Sequence, residues 1–195
     1  MADVKHFDRE AVLEQVERLF WQRGAGATGI AEVVARTGLS RSSLYATFGG
    51  KDELYAEALR RYVEQRSRPA FDRLATDERG LPAIEDFFDR LIQARCTGEH
   101  ARWGCMVSNA HIGAESGGPE IRRLLDSHQA QLRTAMRAAL DVAGEKEQLR
   151  ADLDLEASAE MLALLAYGVN LRSRAGAEAS ILRAAVAAVL TTLQP

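Results

Sequence analysis

Apolar residues recur at spacings of three and four along almost the whole chain, and no run sustains alternation at every second position. This periodicity predicts helices throughout and no sheet. Val12, Leu13, Val16, Leu19 and Phe20 form a first stripe, with Asp8 as N-cap, Phe7 set to staple onto Val12, Trp21 in the same packing and Gly24 at the end. Ile30, Val33 and Val34 form a second, shorter one, with Thr28 and Gly29 as candidate caps. Gly38 supplies the freedom for a sharp turn, Leu39 plugs it, and Ser40 caps a third helix that buries Leu44 and Phe48. After Gly49-Gly50, a fourth helix buries Leu54, Tyr55, Ala58, Leu59 and Tyr62, with Asp52 and Glu53 at its positive end.

Arg60, Arg61, Arg66 and Arg68 then read as a solvated face, and Pro69 with the polar stretch 76–80 as a boundary. A helix restarts at Leu81-Pro82, lined by Ile84, Phe87, Phe88, Leu91 and Ile92, and ends before Gly98. A short apolar segment, 102–114, precedes a break at Gly117-Gly118-Pro119. A long stripe from Ile121 through Leu125, His128, Leu132 and Met136 to Leu140 stops at Gly144. Two helices close the chain. That at 154–175 is lined by Met161, Leu162, Leu165 and Val169. That at 178–193 is lined by Ile181, Leu182, Ala185, Val186, Val189, Leu190 and Leu193. The wide apolar surface of the last helix fits either a subunit interface or a buried terminal helix.

The fold class expected is all-α: an N-terminal three-helix helix-turn-helix module within residues 6–66 and a C-terminal helical domain over 67–195. Charge bears on the first of these. The net charge is −3, and residues 1–66 carry ten basic and ten acidic side chains, so nucleic-acid affinity would have to come from a local patch. Such a patch exists: from Val33 to Lys51 there is no acid, while Arg36, Arg41 and Lys51 are basic. The third helix turns Arg41, Ser42, Ser43, Tyr45 and Thr47 away from its buried face. These side chains suit phosphates and base edges, with Arg41 reading a base or its phosphate and Tyr45, Thr47 and Lys51 holding phosphates. A plain helical hairpin with a solvated polar face has the same pattern.

The wording of the motif separates the two. V-V-A-R-T-G-L-S-R-S-S-L-Y-A-T-F-G-G-K-D-E-L, starting at Val33, closely resembles the DNA-binding region of TetR-family transcriptional repressors. The likeness extends through Leu19, Phe20 and Gly24 upstream and Leu54 and Tyr55 downstream, about the first third of the chain. Ser42 stands where many members have Gly, and Thr47 where many have His, which puts one phosphate contact in question. The resemblance implies a regulator of double-stranded DNA with a pseudo-palindromic operator. Thr28, Arg41, Ser42, Ser43, Tyr45, Thr47 and Lys51 would lie at the DNA. It further implies a homodimer through the helices at 154–175 and 178–193 and a small-molecule effector, of unknown identity, in the second domain.

An effector cavity is expected from Phe88, Leu91, Trp103, Cys105, Met106, Asn109, Met161, Leu165 and Tyr167, each of which also fits plain core. No phosphate loop, catalytic constellation or paired metal ligands stand in the sequence, so no cofactor, metal or enzymatic activity is expected; a helical carrier or enzyme stays as the contrasting reading. No run of apolar residues is long enough for a membrane span, and the N-terminus lacks a signal-peptide pattern, so a cytoplasmic location is expected. Cys96 and Cys105 match neither a disulfide framework nor a zinc pattern. Cys105, in a Gly-Cys segment that resembles one subgroup of the family, is either an inert core thiol or a reactive one near Arg95, His100 and Arg102, which would make the protein a redox or electrophile sensor. Cys96 would be its resolving partner only at disulfide range.

Overall fold

The structure, a computed structural model, describes residues 7–112 and 118–195; residue 6, Gly113-Ala114 and Gly117 lie outside them. Among the described residues the chain forms α-helices and one π-helical turn, with no strand. The first four are α1 (Arg9–Arg23), α2 (Ile30–Thr37), α3 (Arg41–Phe48) and α4 (Lys51–Tyr62). The Asp8 carboxylate caps α1, accepting from the Glu10 and Ala11 amides at 2.9 and 3.2 Å. Gly29 caps α2, and Gly38 ends it in the left-handed region at φ 69°. A side chain at that φ would be strained, so glycine fixes the sharp turn. The Ser40 hydroxyl then caps α3 by accepting from the Ser43 amide.

Beyond α4 the structure departs from expectation. No break occurs near Pro69. The helix continues through a π turn (Val63–Ser67), in which the Arg68 amide reaches back to the Val63 carbonyl, into α5 (Arg68–Ala75). Pro69 falls in the first turn of α5, where its missing amide is tolerated. The arginines here are also not a merely solvated face. Glu17 of α1 is fully buried and binds both Arg61 and Arg66, while Arg60 pairs with Glu120 and Arg68 with Glu64.

The remaining helices are α6 (Leu81–Cys96), α7 (Met106–Ile112), α8 (Pro119–Glu145), α9 (Leu155–Arg174) and α10 (Ala179–Thr191). Two apolar cores result. The first joins α1 to α4 around Val16, Val33, Leu59 and Tyr62, and it also takes in Cys105, Met106, Val107 and Ala110 together with Ile121 and Leu125 from the head of α8. The second joins α5, α6, α8, α9 and α10 around Ile84, Phe88, Met136 and Leu162. The N-terminal helices therefore rest on a platform supplied by residues far along the chain, and the polypeptide at 66–67 is continuous helix.

The outer surface of α9 and α10 is apolar. Leu164, Leu171 and Ile181 are 59, 47 and 57% exposed, and Met161 is 37% exposed. Val186 is buried within the protomer's own core, so it is not part of this face. Among the described residues, no helix is long and apolar enough to cross a membrane.

Candidate nucleic-acid interface and effector cleft

The exposed face of α3 follows from what the helix buries. Leu44 and Phe48 are 2 and 4% exposed, and the Arg9 guanidinium lies 4.9 Å over the Phe48 ring, so the helix has one rotational setting. Arg41, Ser42 and Tyr45 are then exposed, with Ser43 and Thr47 half-buried on the same helix and Lys51 half-buried at the start of α4. The Arg41 guanidinium lies 5.6 Å from the Tyr45 ring centroid. The Ser40 hydroxyl sits 2.9 Å from both the Ser42 and Ser43 hydroxyls, tying them into one network at the head of the helix. Six of the seven expected contact residues thus share one region.

Thr28 is the exception. Its side chain is fully buried and its hydroxyl donates to the Gly24 carbonyl at 2.7 Å. It secures the α1–α2 connection and has no hydroxyl to offer a phosphate.

Among the described residues, the nine expected to line an effector cavity are not brought together around one. Phe88 is solid core, Cys105 and Met106 are buried in the other core, and Met161 faces outward. Trp103 packs edge-on against Trp21, and Asn109 donates to the Trp103 carbonyl at 2.8 Å. Leu165 and Tyr167 are half-buried against the second core. Leu91 alone of the nine lines a cleft of about 410 Å³ between α1, α5 and α6. Ala70 and Leu74 of α5 and Phe87 and Leu91 of α6 make its apolar wall; Trp21, Arg66, Arg95 and His100 make its inner end. Arg95 was legible in principle: it continues the α6 stripe 84, 87, 88, 91, 92, a cation where a core residue is due.

Trp21 holds this inner end in place. Its indole N–H donates to the Gly104 carbonyl at 2.9 Å, and its ring stacks on His100 at 4.8 Å. Gly104 has φ 68°, and a Cβ there would meet the Asn109 side chain at 2.9 Å and the Asn170 carbonyl at 3.2 Å. The glycine is needed for close packing. Arg174, at the end of α9, donates to the Trp103 carbonyl at 2.7 Å and the Gln22 carbonyl at 3.2 Å, so the last turn of α9 is latched to the last turn of α1.

Cys105 is 3% exposed. Burial pushes its thiol up, but the hydrogen bond from His128 and the charges of His128 and Arg95 outweigh it and bring the thiol down to about 6. His128 also meets the Ser67 hydroxyl at 3.1 Å and the Tyr167 hydroxyl at 3.4 Å. Cys96 is half-buried in the second core, its Sγ 4.0 Å from the Ala177 carbonyl, and both thiols are free. The two cysteines thus belong to different cores. Among the described residues, no group of three or more metal-ligating side chains gathers.

Comparison with known proteins agrees with the geometry. The family described as "Bacterial regulatory proteins, tetR family" matches residues 12–58, and "Tetracyclin repressor-like, C-terminal domain" matches residues 80–189. The HTH-type transcriptional repressor ComR of Escherichia coli is 29% identical over 175 residues, 89% of this chain and 82% of ComR. The HTH-type regulator YezE of Bacillus subtilis, itself uncharacterized, is 29% identical over 81% of each chain. Among solved structures, a cysteine mutant of the TetR-family regulator CifR complexed with 26-base-pair operator DNA superposes with a TM-score of 0.82. It is 25% identical, over 97% of this chain and 98% of CifR. These relatives are regulators and not enzymes, which removes the reading as a helical enzyme. The chain belongs to the TetR family of transcriptional regulators.

Proposed function

We propose that this regulator is a homodimeric repressor that binds a pseudo-palindromic operator through α3 and leaves it when a small molecule enters the cleft between α1, α5 and α6. The observation that carries the DNA reading is the exposed, acid-free face of α3, with Arg41, Ser42, Ser43, Tyr45 and Thr47 turned outward and Lys51 beside them. Arg41 reads a base or its phosphate; Tyr45, Thr47 and Lys51 hold phosphates. The CifR relative complexed with operator DNA and the name of ComR, a repressor, support the same reading.

Dimerisation is supported by the stripe Met161, Leu164, Leu171 on α9 and Ile181 on α10, an apolar surface without a cover in the protomer. A two-fold pairing there would carry two copies of α3 to successive major grooves, about 34–36 Å apart or a multiple of it. The test is selection of bound fragments from random DNA by the full-length protein, paired with sedimentation at micromolar concentration. Enrichment of an inverted repeat by a dimer supports the proposal. Sequence-independent binding, or a monomer at operator-binding concentrations, refutes it.

A second reading concerns the trigger. Cys105 is held by His128 at a point where α7 and α8 meet the N-terminal core, and its thiol is acidic enough to ionise at neutral pH. An oxidant or electrophile that added bulk there would disturb the platform under the DNA-binding helices. Release of the operator by a mild electrophile in wild type and Cys96→Ser, lost in Cys105→Ser, would support it; an unchanged response in Cys105→Ser would end it.

A further inference from the structure

We infer that the cleft between α1, α5 and α6 takes an amphipathic anion, a carboxylate on an aromatic or otherwise apolar body, with its charge at Arg95 and Arg66. This rests on the proposal that the cleft is the effector site and specifies what fills it.

Arg95 is the central observation. It is half-buried, and the groups that touch its guanidinium are neutral: the Asn170 side-chain oxygen at 2.7 Å, the Tyr62 hydroxyl at 3.1 Å and the Trp21 face at 5.7 Å, with the acidic Cys105 thiol the nearest source of negative charge. No carboxylate pairs with it among the described residues. Arg66 lies over the same indole at 4.8 Å, so two cations converge on one ring. Arg66 does have a carboxylate, Glu17, but shares it with Arg61. Arg95, half-buried without a carboxylate and beside a second guanidinium, leaves a deficit that an anion between the two would offset.

The other groups at this end agree. The His100 Nε2 atom is buried with no hydrogen-bond partner, and burial together with the Arg66 charge holds the imidazole below its ordinary pKa. An anionic oxygen would accept a hydrogen bond from it. The acids that line the cleft, Asp77 and Asp86, sit at its outer end, and both are bound by Arg79, Asp86 by Arg90 as well. They are not available to draw a cation inward. The Cys105 thiol faces Arg95 across the Tyr62 hydroxyl, from the core side rather than from the cleft. The wall between the two ends, from Leu74 to Phe87 and Leu91, is apolar and accepts the body of the ligand.

The arrangement also says how such a ligand is felt. A carboxylate at Arg66 competes with Glu17, and the body lies against Trp21; both are residues of α1, which packs on α2 and carries the helix-turn-helix.

The experiment is calorimetric titration of the full-length protein with three carboxylates, 2-naphthoate, 4-phenylbutyrate and decanoate, and with their uncharged primary amides. At least one acid is expected to bind about ten-fold or more tighter than its amide. Arg95→Gln, and independently Arg66→Gln, should reduce that preference with little effect on amide binding; the second variant keeps the test open should the first not fold. Amides that match or exceed their acids, no binding of any acid at about 1 mM, or a preference untouched in both folded variants would overturn the inference. Operator binding is measured separately on the same ligands. An acid that binds with the expected preference yet leaves the operator occupied upholds the site and refutes its role in release.

Discussion

Glu17 offers the sharpest test of how the N-terminal helices are fastened. Its side chain is fully buried, while its partners Arg61 and Arg66 are 11 and 35% exposed, and Arg61 also reaches Glu10. Removing one partner of a buried pair costs about 3–5 kcal/mol when the remaining charge is left alone. Glu17 keeps a second arginine, so Arg61→Met should cost about 2–3 kcal/mol, and Arg66→Met, whose arginine is a third exposed, about 1 kcal/mol. In a chain of this size each kcal/mol moves the midpoint by about 2–4 °C, so the expected losses are about 4–12 °C and about 2–4 °C. The double variant strands a buried carboxylate and should lose more than the sum of the two. Adding Glu17→Met to the double variant should recover most of that excess, because the cost lies in the unpaired charge and not in lost packing. Thermal unfolding followed by circular dichroism at fixed protein concentration measures all of these. Additive losses, or a larger loss from Arg66→Met than from Arg61→Met, would refute the reasoning.

Arg41→Ala should weaken operator binding by about 1–3 kcal/mol if its contact is bidentate to a base, whereas Lys51→Ala should weaken binding to all sequences and flatten the salt dependence; fluorescence anisotropy against salt separates the two. Leu164→Glu with Ile181→Glu, on the exposed face of α9 and α10, should give a folded monomer by sedimentation, while a persisting dimer would place the interface elsewhere. The Cys105 thiol, near 9.0 when unfolded and about 6 when folded, contributes stability that is fully present above pH 9 and drains away as the pH falls to 6; the gap in midpoint between wild type and Cys105→Ser should therefore shrink over that range, and a constant gap would refute an ionised thiol. Gly104→Ala forces a Cβ against Asn109 and the Asn170 carbonyl at a positive φ, and should lower the midpoint by several degrees, with Ser108→Ala as the small-residue control nearby.

The helix-turn-helix was legible because its determinants are local: Gly38 at a positive φ, Ser40 as a cap, and Leu44 and Phe48 one turn apart. The apolar outer face of α9 and α10 was also visible as excess hydrophobic surface, although periodicity did not divide it between the protomer's core, which takes Val186, and the outside, which takes Ile181. The cleft was not legible. Half of its apolar wall comes from α5, and α5 was hidden because Pro69 reads as a break unless a π turn precedes it. Thr28 was misplaced, and Glu17 gave no signal, for a related reason: a polar residue buried by the fold looks the same, along the chain, as one in solvent.

The π turn at Val63–Ser67 has a consequence for orientation. Each residue in a helix advances the chain by about 1.5 Å and turns it by about 100°. The wider turn absorbs a residue between α4, which belongs to the N-terminal core, and α5, which belongs to the second. The angular phase of one core about the other thus depends on the count of residues in this rod, alongside α8, which also enters both cores. Deleting one residue here would leave almost every buried side chain in the sequence, yet it would set the rotation of α1 to α4 against the contacts that α7, the head of α8 and Arg174 make with them. Tuning of operator geometry, by selection or by design, has its most economical handle in the length of this rod, far from any residue that touches DNA.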